Sequence, residues 1–211
     1  MAPFDKIIVF RQTGVEDWQL NYLLDTVVEF LEMCDLRDKI AVKFVNQTVN
    51  LEKYRVTDEN DGWKNYLNGF DIIYAFARFV PRYFYEFASI LLVKDRFFSV
   101  EKERFAANGL ALLQSSVMVV HGSDSKYNLR ISTLHELGHI FKTQPKERTE
   151  QVMFFGVTKH CANKDCGMYG DEISLEDPSN SRFFCAVCHR YLKLFLEKNF
   201  SATSVAEKET P

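Results

Sequence analysis

Short unbroken apolar runs alternate along this chain with longer stretches in which apolar residues recur at helical spacing. Ile7-Ile8-Val9-Phe10 is a run of strand length and predicts a buried strand. Thr13-Gly14-Val15-Glu16 matches a capping box that announces a helix. Leu20, Leu23, Leu24, Val27, Phe30, Leu31 and Cys34 then follow on one helix face, which predicts packing against a sheet. Ile40 to Val45 predicts a second strand, Asp58 to Gly62 a turn, and Asp71 to Phe76 a third strand. After the aromatic-rich stretch Pro81 to Phe87, Ile90 to Val93 reads as a strand at a sheet edge. Ser99 to Gln114 reads as helix broken near Gly109 or as an irregular excursion, with some helix expected because a structureless loop of that length is unusual. Val117 to Val120 predicts a strand, followed by a turn over His121 to Ser125, with His121 an ordinary loop residue. This order predicts an α/β fold with a mainly parallel sheet.

A further helix is expected from Asp124 or Ser125, both good N-caps. Tyr127, Ile131, Leu134, Gly138 and Phe141 share its core face, and Ser132, His135, Glu136 and His139 share another. The second face carries His135-Glu136-Leu137-Gly138-His139, an H-E-x-x-H sequence. Residues four apart lie together on a helix, so both imidazoles can converge on one ion. Zinc suits imidazole nitrogens and, with three protein ligands, keeps a position for water whose pKa falls to about 7. Glu136 is then placed to take the water's proton. A polar stretch follows, with a short helix expected from Pro145 to Phe154 or Phe155, ended by Gly156.

Cysteine usage adds a second site. Of five cysteines, Cys161, Cys166, Cys185 and Cys188 fall in one C-terminal segment as two closely spaced pairs. Four thiolates suit a closed tetrahedral zinc site with a structural role. The polar loop between the pairs, including Asp177-Pro178-Ser179-Asn180, has too little apolar content to fold by packing alone. His189 beside Cys188 is read as a bystander, and Cys34 as a small buried residue without function. A final amphipathic helix is expected over Ala186 to Asn199.

The 211 residues are 46% hydrophobic and 26% charged, enough for a full core, and a net charge of -3 argues against a basic nucleic-acid surface. No apolar run reaches membrane-span length, and the first residues lack the pattern of a signal peptide. The expectation is a cytoplasmic (intracellular) monomer with no nucleic-acid or membrane partner.

These residues together resemble the archaemetzincin family of zinc metallopeptidases, whose pattern is H-E-x-x-H-x-x-G-x-x-H-C-x4-C-x-M followed by C-x2-C. The matching positions are His135, Glu136 and His139, then His160-Cys161, Cys166 and Met168, then Cys185 and Cys188, within about Arg130 to Cys188. The resemblance implies a metzincin-like α/β fold: a twisted sheet, a backing helix, an active-site helix and a small zinc-stapled C-terminal lobe. It implies that His135, His139 and His160 bind a catalytic zinc, with Glu136 as general base and Met168 as the methionine turn beneath the metal. The four cysteines would bind a second, structural zinc. The implied function is a zinc-dependent metallopeptidase acting on peptides or proteins. The alternative is a weak or inactive zinc-stabilised binding protein of the same fold.

One departure stands out. Lys142 occupies the family's turn glycine, and His160 lies twenty-one residues after His139 rather than six. Lysine resists the left-handed conformation that glycine adopts. The expectation is therefore an insertion over roughly Lys142 to Phe155, a lid or a decoration, with Gly156 serving the turn back. Glu147 and Glu150 are rival third ligands to His160. Tyr169, next to Met168, is read as a surface residue before an oxyanion contact. The expected organisation is an N-terminal subdomain over 1–141, a C-terminal subdomain over 142–200 and a disordered tail over 201–211.

Overall fold

Strand β1 (Lys6–Gln12), helix α1 (Asp17–Met33) and strand β2 (Ala41–Val49) open the chain in the expected order. The computed structural model describes residues 4–80, 87–99, 105–112, 115–145, 148–149, 151–154, 158–170 and 183–200. The capping box of α1 lies three residues later than the sequence reading placed it. Glu16 is the N-cap and Gln19 its reciprocal partner, so Thr13-Gly14 belongs to the preceding turn. Gly14 has φ 88°, a conformation that costs glycine little.

The segment read as a third strand is a helix. After the short strand β3 (Leu67–Asn68), α2 (Gly69–Phe79) begins at the N-cap Asn68. Its carboxamide oxygen accepts from the N–H groups of Phe70 and Asp71. Ile72, Ile73, Phe76 and Val80 are buried while Asp71, Tyr74 and Arg78 are exposed, which is a helical period. The contiguous apolar core Ile72-Ile73 masked that period when six residues were read alone.

Strand β4 (Phe87–Val93) corrects a second expectation. It is the middle strand of the main sheet, not an edge. Where a helix was expected, the chain forms β5 (Phe97–Ser99), β6 (Phe105–Ala107) and β7 (Gly109–Leu112). The tripeptide β5 pairs with β6, and β7 pairs antiparallel with β8 (Val117–His121). Then come α3 (Lys126–Ile140), β9 (Gln151–Phe154), β10 (Thr158–Cys161) and α4 (Ala186–Phe200). The helix expected after Pro145 is therefore replaced, over its second half, by a strand of the β9–β10 hairpin. Gly156 and the tail 201–211 lie outside the described residues.

The main sheet runs β2-β1-β4-β8-β7, parallel except for the edge strand β7. Both faces are covered, as a parallel sheet requires. On β4, Ala88, Ile90 and Leu92 enter one apolar cluster and Leu91 and Val93 the other. On β8, Met118 and Val120 face the first cluster and Val117 and Val119 the second. The first cluster is formed with α1, α3 and α4, and the second with α2. Aromatic rings tie the first together: Phe30 lies 4.8 Å from Phe141 and 6.2 Å from Phe184, centroid to centroid. Arg130 of α3 forms a two-pronged ion pair with Glu29 of α1. The result is a mostly parallel sheet with flanking helices. Among the described residues no helix is long and apolar enough to cross a membrane.

The Asn68 cap gives the reassigned helix a direct test. Asn68→Ala leaves two α2 donors without their acceptor and is expected to cost about 1 kcal/mol in urea unfolding, whereas Asn68→Asp should be nearly neutral.

Candidate metal centres

Helix α3 is buried on most of its circumference, with Leu129, Thr133, Leu134, Leu137 and Ile140 all enclosed. Ser125 caps it by accepting from the Asn128 N–H. His135 and His139 leave it one turn apart, half-buried, and meet His160 from β10. Nε2 of His139 stands 3.1 Å from Nε2 of His135 and 3.3 Å from Nε2 of His160. Zinc–nitrogen bonds of 2.0–2.1 Å at tetrahedral angles put neighbouring ligand nitrogens about 3.3 Å apart, so the trio has the spacing of one coordination shell. Nδ1–H of His135 donates to the Gly167 carbonyl at 2.6 Å. That bond leaves the Nε2 lone pair facing the other two imidazoles.

The surroundings favour the neutral form of the two α3 imidazoles. Burial, reinforced by His160 and opposed by the Gly167 hydrogen bond, pushes the His135 imidazole down to about 3. Burial also holds His139 well below its ordinary value, with His135, His160 and Lys142 adding to the effect. Neutral imidazole is the form that ligates a metal. Glu136, 6% exposed, is pushed up to about 8 by burial. A side chain at Gly109, the first residue of edge strand β7, would place its Cβ 2.5–2.8 Å from Oε1, Cγ and Cδ of Glu136. The bare backbone of the sheet edge therefore lies directly against this carboxylate, which the sequence reading, taking Gly109 as a helix break, did not find.

The end of α3 answers the question raised by Lys142. Lys142 itself takes the left-handed turn, at φ 59°. The reversal is held by the Thr143 N–H and hydroxyl, which both donate to Gly138 O at 3.0 and 2.9 Å. The chain thus turns where a glycine was expected to be needed, at a strain of about 1–2 kcal/mol for a non-glycine residue. Glu147 and Glu150, the rival ligands, lie outside the described residues. Gly138 also has a reason: a Cβ there would overlap Met168 Sδ and press on Phe184. Met168 is fully buried against that gap, and its carbonyl accepts from the Cys161 N–H at 2.9 Å.

The four cysteines form the second cluster. Their sulfurs and the three histidine nitrogens each group within 4.8 Å. Cys161 and Cys185 are 3.7 Å apart and Cys166 and Cys188 3.4 Å apart, sulfur to sulfur. Zinc–sulfur bonds of 2.3 Å at tetrahedral angles give edges of about 3.8 Å, which this set approaches without the contact a disulfide needs. Backbone N–H groups of Cys185 and Asn163 point at Cys166 and Cys161 sulfurs, at 3.3 and 3.4 Å. His189 is exposed and stands outside the cluster. His121 ends strand β8 and Tyr169 is half-buried. Cys34 is enclosed, and burial, with Asp35 adding, pushes its thiol up to about 12, the state of an inert packing residue.

No family model and no curated protein matches the chain. Solved structures do. A zinc-dependent peptidase from Methanocorpusculum labreanum aligns with TM-score 0.56 and 16% identity, over 88% of this chain and 99% of that one. The archaemetzincin of Archaeoglobus fulgidus gives the same figures: 0.56, 16%, 88% and 99%. The archaemetzincin of Methanopyrus kandleri gives 0.58 and 16%, over 93% and 99%. The likeness is one of fold. It covers nearly the whole chain.

The titrations make the site visible in chelator-treated protein. The Glu136 carboxyl keeps its proton to about pH 8 when folded but ionises near 4.5 when unfolded, so stability falls as pH rises from 4.5 to 8. His135, at about 3 folded and 6.5 unfolded, removes stability as pH falls from 6.5 toward 3. Glu136→Gln is expected to flatten the first slope and leave the second, as read from urea midpoints across that pH range.

Proposed function

We propose that this chain is a zinc-dependent metallopeptidase, with one zinc held by His135, His139 and His160 and a structural zinc held by Cys161, Cys166, Cys185 and Cys188. The observation that carries the reading is the convergence of three imidazoles beside a buried glutamate, under the backbone of the strand that, among the described residues, ends the sheet. When bound, zinc supplies Lewis-acid polarisation of the scissile carbonyl and acidifies the attacking water.

The protein's own groups do the rest. Glu136 accepts the water's proton and delivers it to the leaving amine, a transfer for which a carboxylate raised toward neutrality is suited. The Gly167 carbonyl fixes the His135 tautomer and ring plane. Met168 fills the space beneath the histidines as the methionine turn, its thioether seated against the bare Cα of Gly138. Among the described residues strand β7 ends the sheet, and an extended peptide would add along it as a further strand. In this reading the segment up to residue 141 forms the N-terminal subdomain, and 142–200 the part that completes both metal sites.

A second reading, a zinc-stabilised binding protein with little turnover, draws on Lys142. Its ammonium is half-buried and acts on His139 in the sense that opposes positive charge at the site.

Cleavage of a broad peptide library by the zinc-loaded protein separates the two. Glu136→Ala is expected to lower kcat by on the order of 10²–10⁴-fold while zinc content stays unchanged. Absence of cleavage by the wild-type protein, with zinc still bound, would contradict the peptidase reading.

A further inference from the structure

Arg148 is a guanidinium that is only 3% exposed, on the segment separating the second and third histidines. Its Nη1 donates to Cys188 Sγ at 3.0 Å and to the Thr143 carbonyl at 3.2 Å. Its Nη2 donates to Cys161 Sγ at 3.1 Å. Gln144, also buried, adds a donation from Nε2 to Cys188 Sγ at 3.1 Å, and Gln151 Nε2 holds Gln144 in turn through its Oε1 at 3.1 Å. The Arg148 guanidinium also lies 5.7 Å from the centroid of the Tyr191 ring on α4.

The charge arithmetic explains the arrangement. Four thiolates around a divalent ion leave two net negative charges in a largely buried place, a costly state without a counter-charge or hydrogen bonds. A guanidinium is planar, always charged and presents parallel N–H groups, so one side chain can span two sulfurs. Neutral thiols would give the buried cation no comparable return. Thr143, which takes the third Arg148 bond, is the residue that closes the α3 turn on Gly138. Arg148 therefore ties the end of the histidine-bearing helix to two cysteines, one of them adjacent to His160.

We propose that Arg148, seconded by Gln144, is the positioning residue of the cysteine metal site, and that these two side chains form a charge-matching strap across its sulfurs. This rests on the assignment of zinc to the cysteine cluster. In this role Gln144 and Arg148, from the segment between the second and third histidines, serve the cysteine site. Pairing Arg148 with sulfurs that are 13 and 40 residues away in sequence needs the fold, since no spacing rule links them.

The test reads metal at the cysteine site directly, without reference to peptidase activity. The full-length protein is loaded with cobalt(II) or zinc, and Arg148→Met, Arg148→Lys and Gln144→Met are compared with wild type. Arg148→Met is expected to release metal from the thiolate site to a competing chelator with an affinity lower by on the order of 10–100-fold. The sulfur-to-cobalt charge-transfer absorption should shift, because sulfurs that lose a hydrogen bond donate more strongly to the metal. Arg148→Lys should not restore either property, as a single ammonium cannot bridge both sulfurs. Gln144→Met should move both in the same direction by less. If Arg148→Met fails to fold by circular dichroism, Arg148→Lys and Gln144→Met carry the decision. Wild-type affinity and an unshifted band in the folded variants would overturn the proposal. Absence of any thiolate-to-cobalt band in the wild-type protein would overturn the zinc assignment itself, and the strap with it.

Discussion

His160 and Cys161 are consecutive residues on one strand, and strand geometry sends consecutive side chains to opposite faces. One therefore joins the histidine cluster and the other the cysteine cluster. The two sets of ligands cannot be assembled independently, because a shift of this strand by one residue would exchange imidazole and thiol. The register is held by the β9–β10 pairing, His160 opposite Val152, and by the Cys161 N–H to Met168 carbonyl bond. That same Met168 packs against Gly138 between the two α3 histidines. The neighbouring Gly167 carbonyl orients His135. A short stretch of backbone thus places His160 and orients His135, while α3 itself carries His139.

Glu136 depends on the sheet instead. Its carboxylate is enclosed where the antiparallel edge strand begins, and Gly109 is what allows that strand to come so close. The mainly parallel sheet provides the platform: β8 leads straight into α3 through the Ser125 cap, and α1 braces α3 through Phe30, Phe141 and the Arg130–Glu29 pair. Burial then acts on His135, Glu136 and His139 in one sense, favouring neutral imidazoles and a carboxyl of raised pKa. A divalent cation would relieve the second effect and exploit the first.

The legible parts of the molecule were those with local chemistry. The histidine pair and Glu136 follow from helical spacing, and the cysteine cluster from its two close pairs. Buried strands β1 and β8 and helix α1 follow from unambiguous apolar patterns. The failures have distinct causes. Asp71 to Phe76 is too short to separate a buried helix from a strand, and its N-cap, Asn68, sits before the apolar run. Strands β5, β6 and β7 form because β3, β5 and β8 offer partners, and such non-local pairing leaves little trace in a tripeptide. Central placement of β4 was hidden for the same reason. Propensity alone disfavours Lys142 in the left-handed turn, whereas Thr143 supplies hydrogen bonds that offset it. Arg148 had no local signature at all, since its partners come from remote cysteines.

The central claim is that one chain holds two chemically different zinc ions, one among imidazoles and one among thiolates. X-ray absorption at the zinc edge of the fully loaded protein, combined with metal content, addresses it most directly. The account requires two zinc ions per chain, with an averaged first shell split evenly between sulfur at about 2.3 Å and nitrogen or oxygen at about 2.0–2.1 Å. A single zinc per chain with an all-sulfur shell would contradict it, leaving the three histidines as a packed polar cluster without a metal.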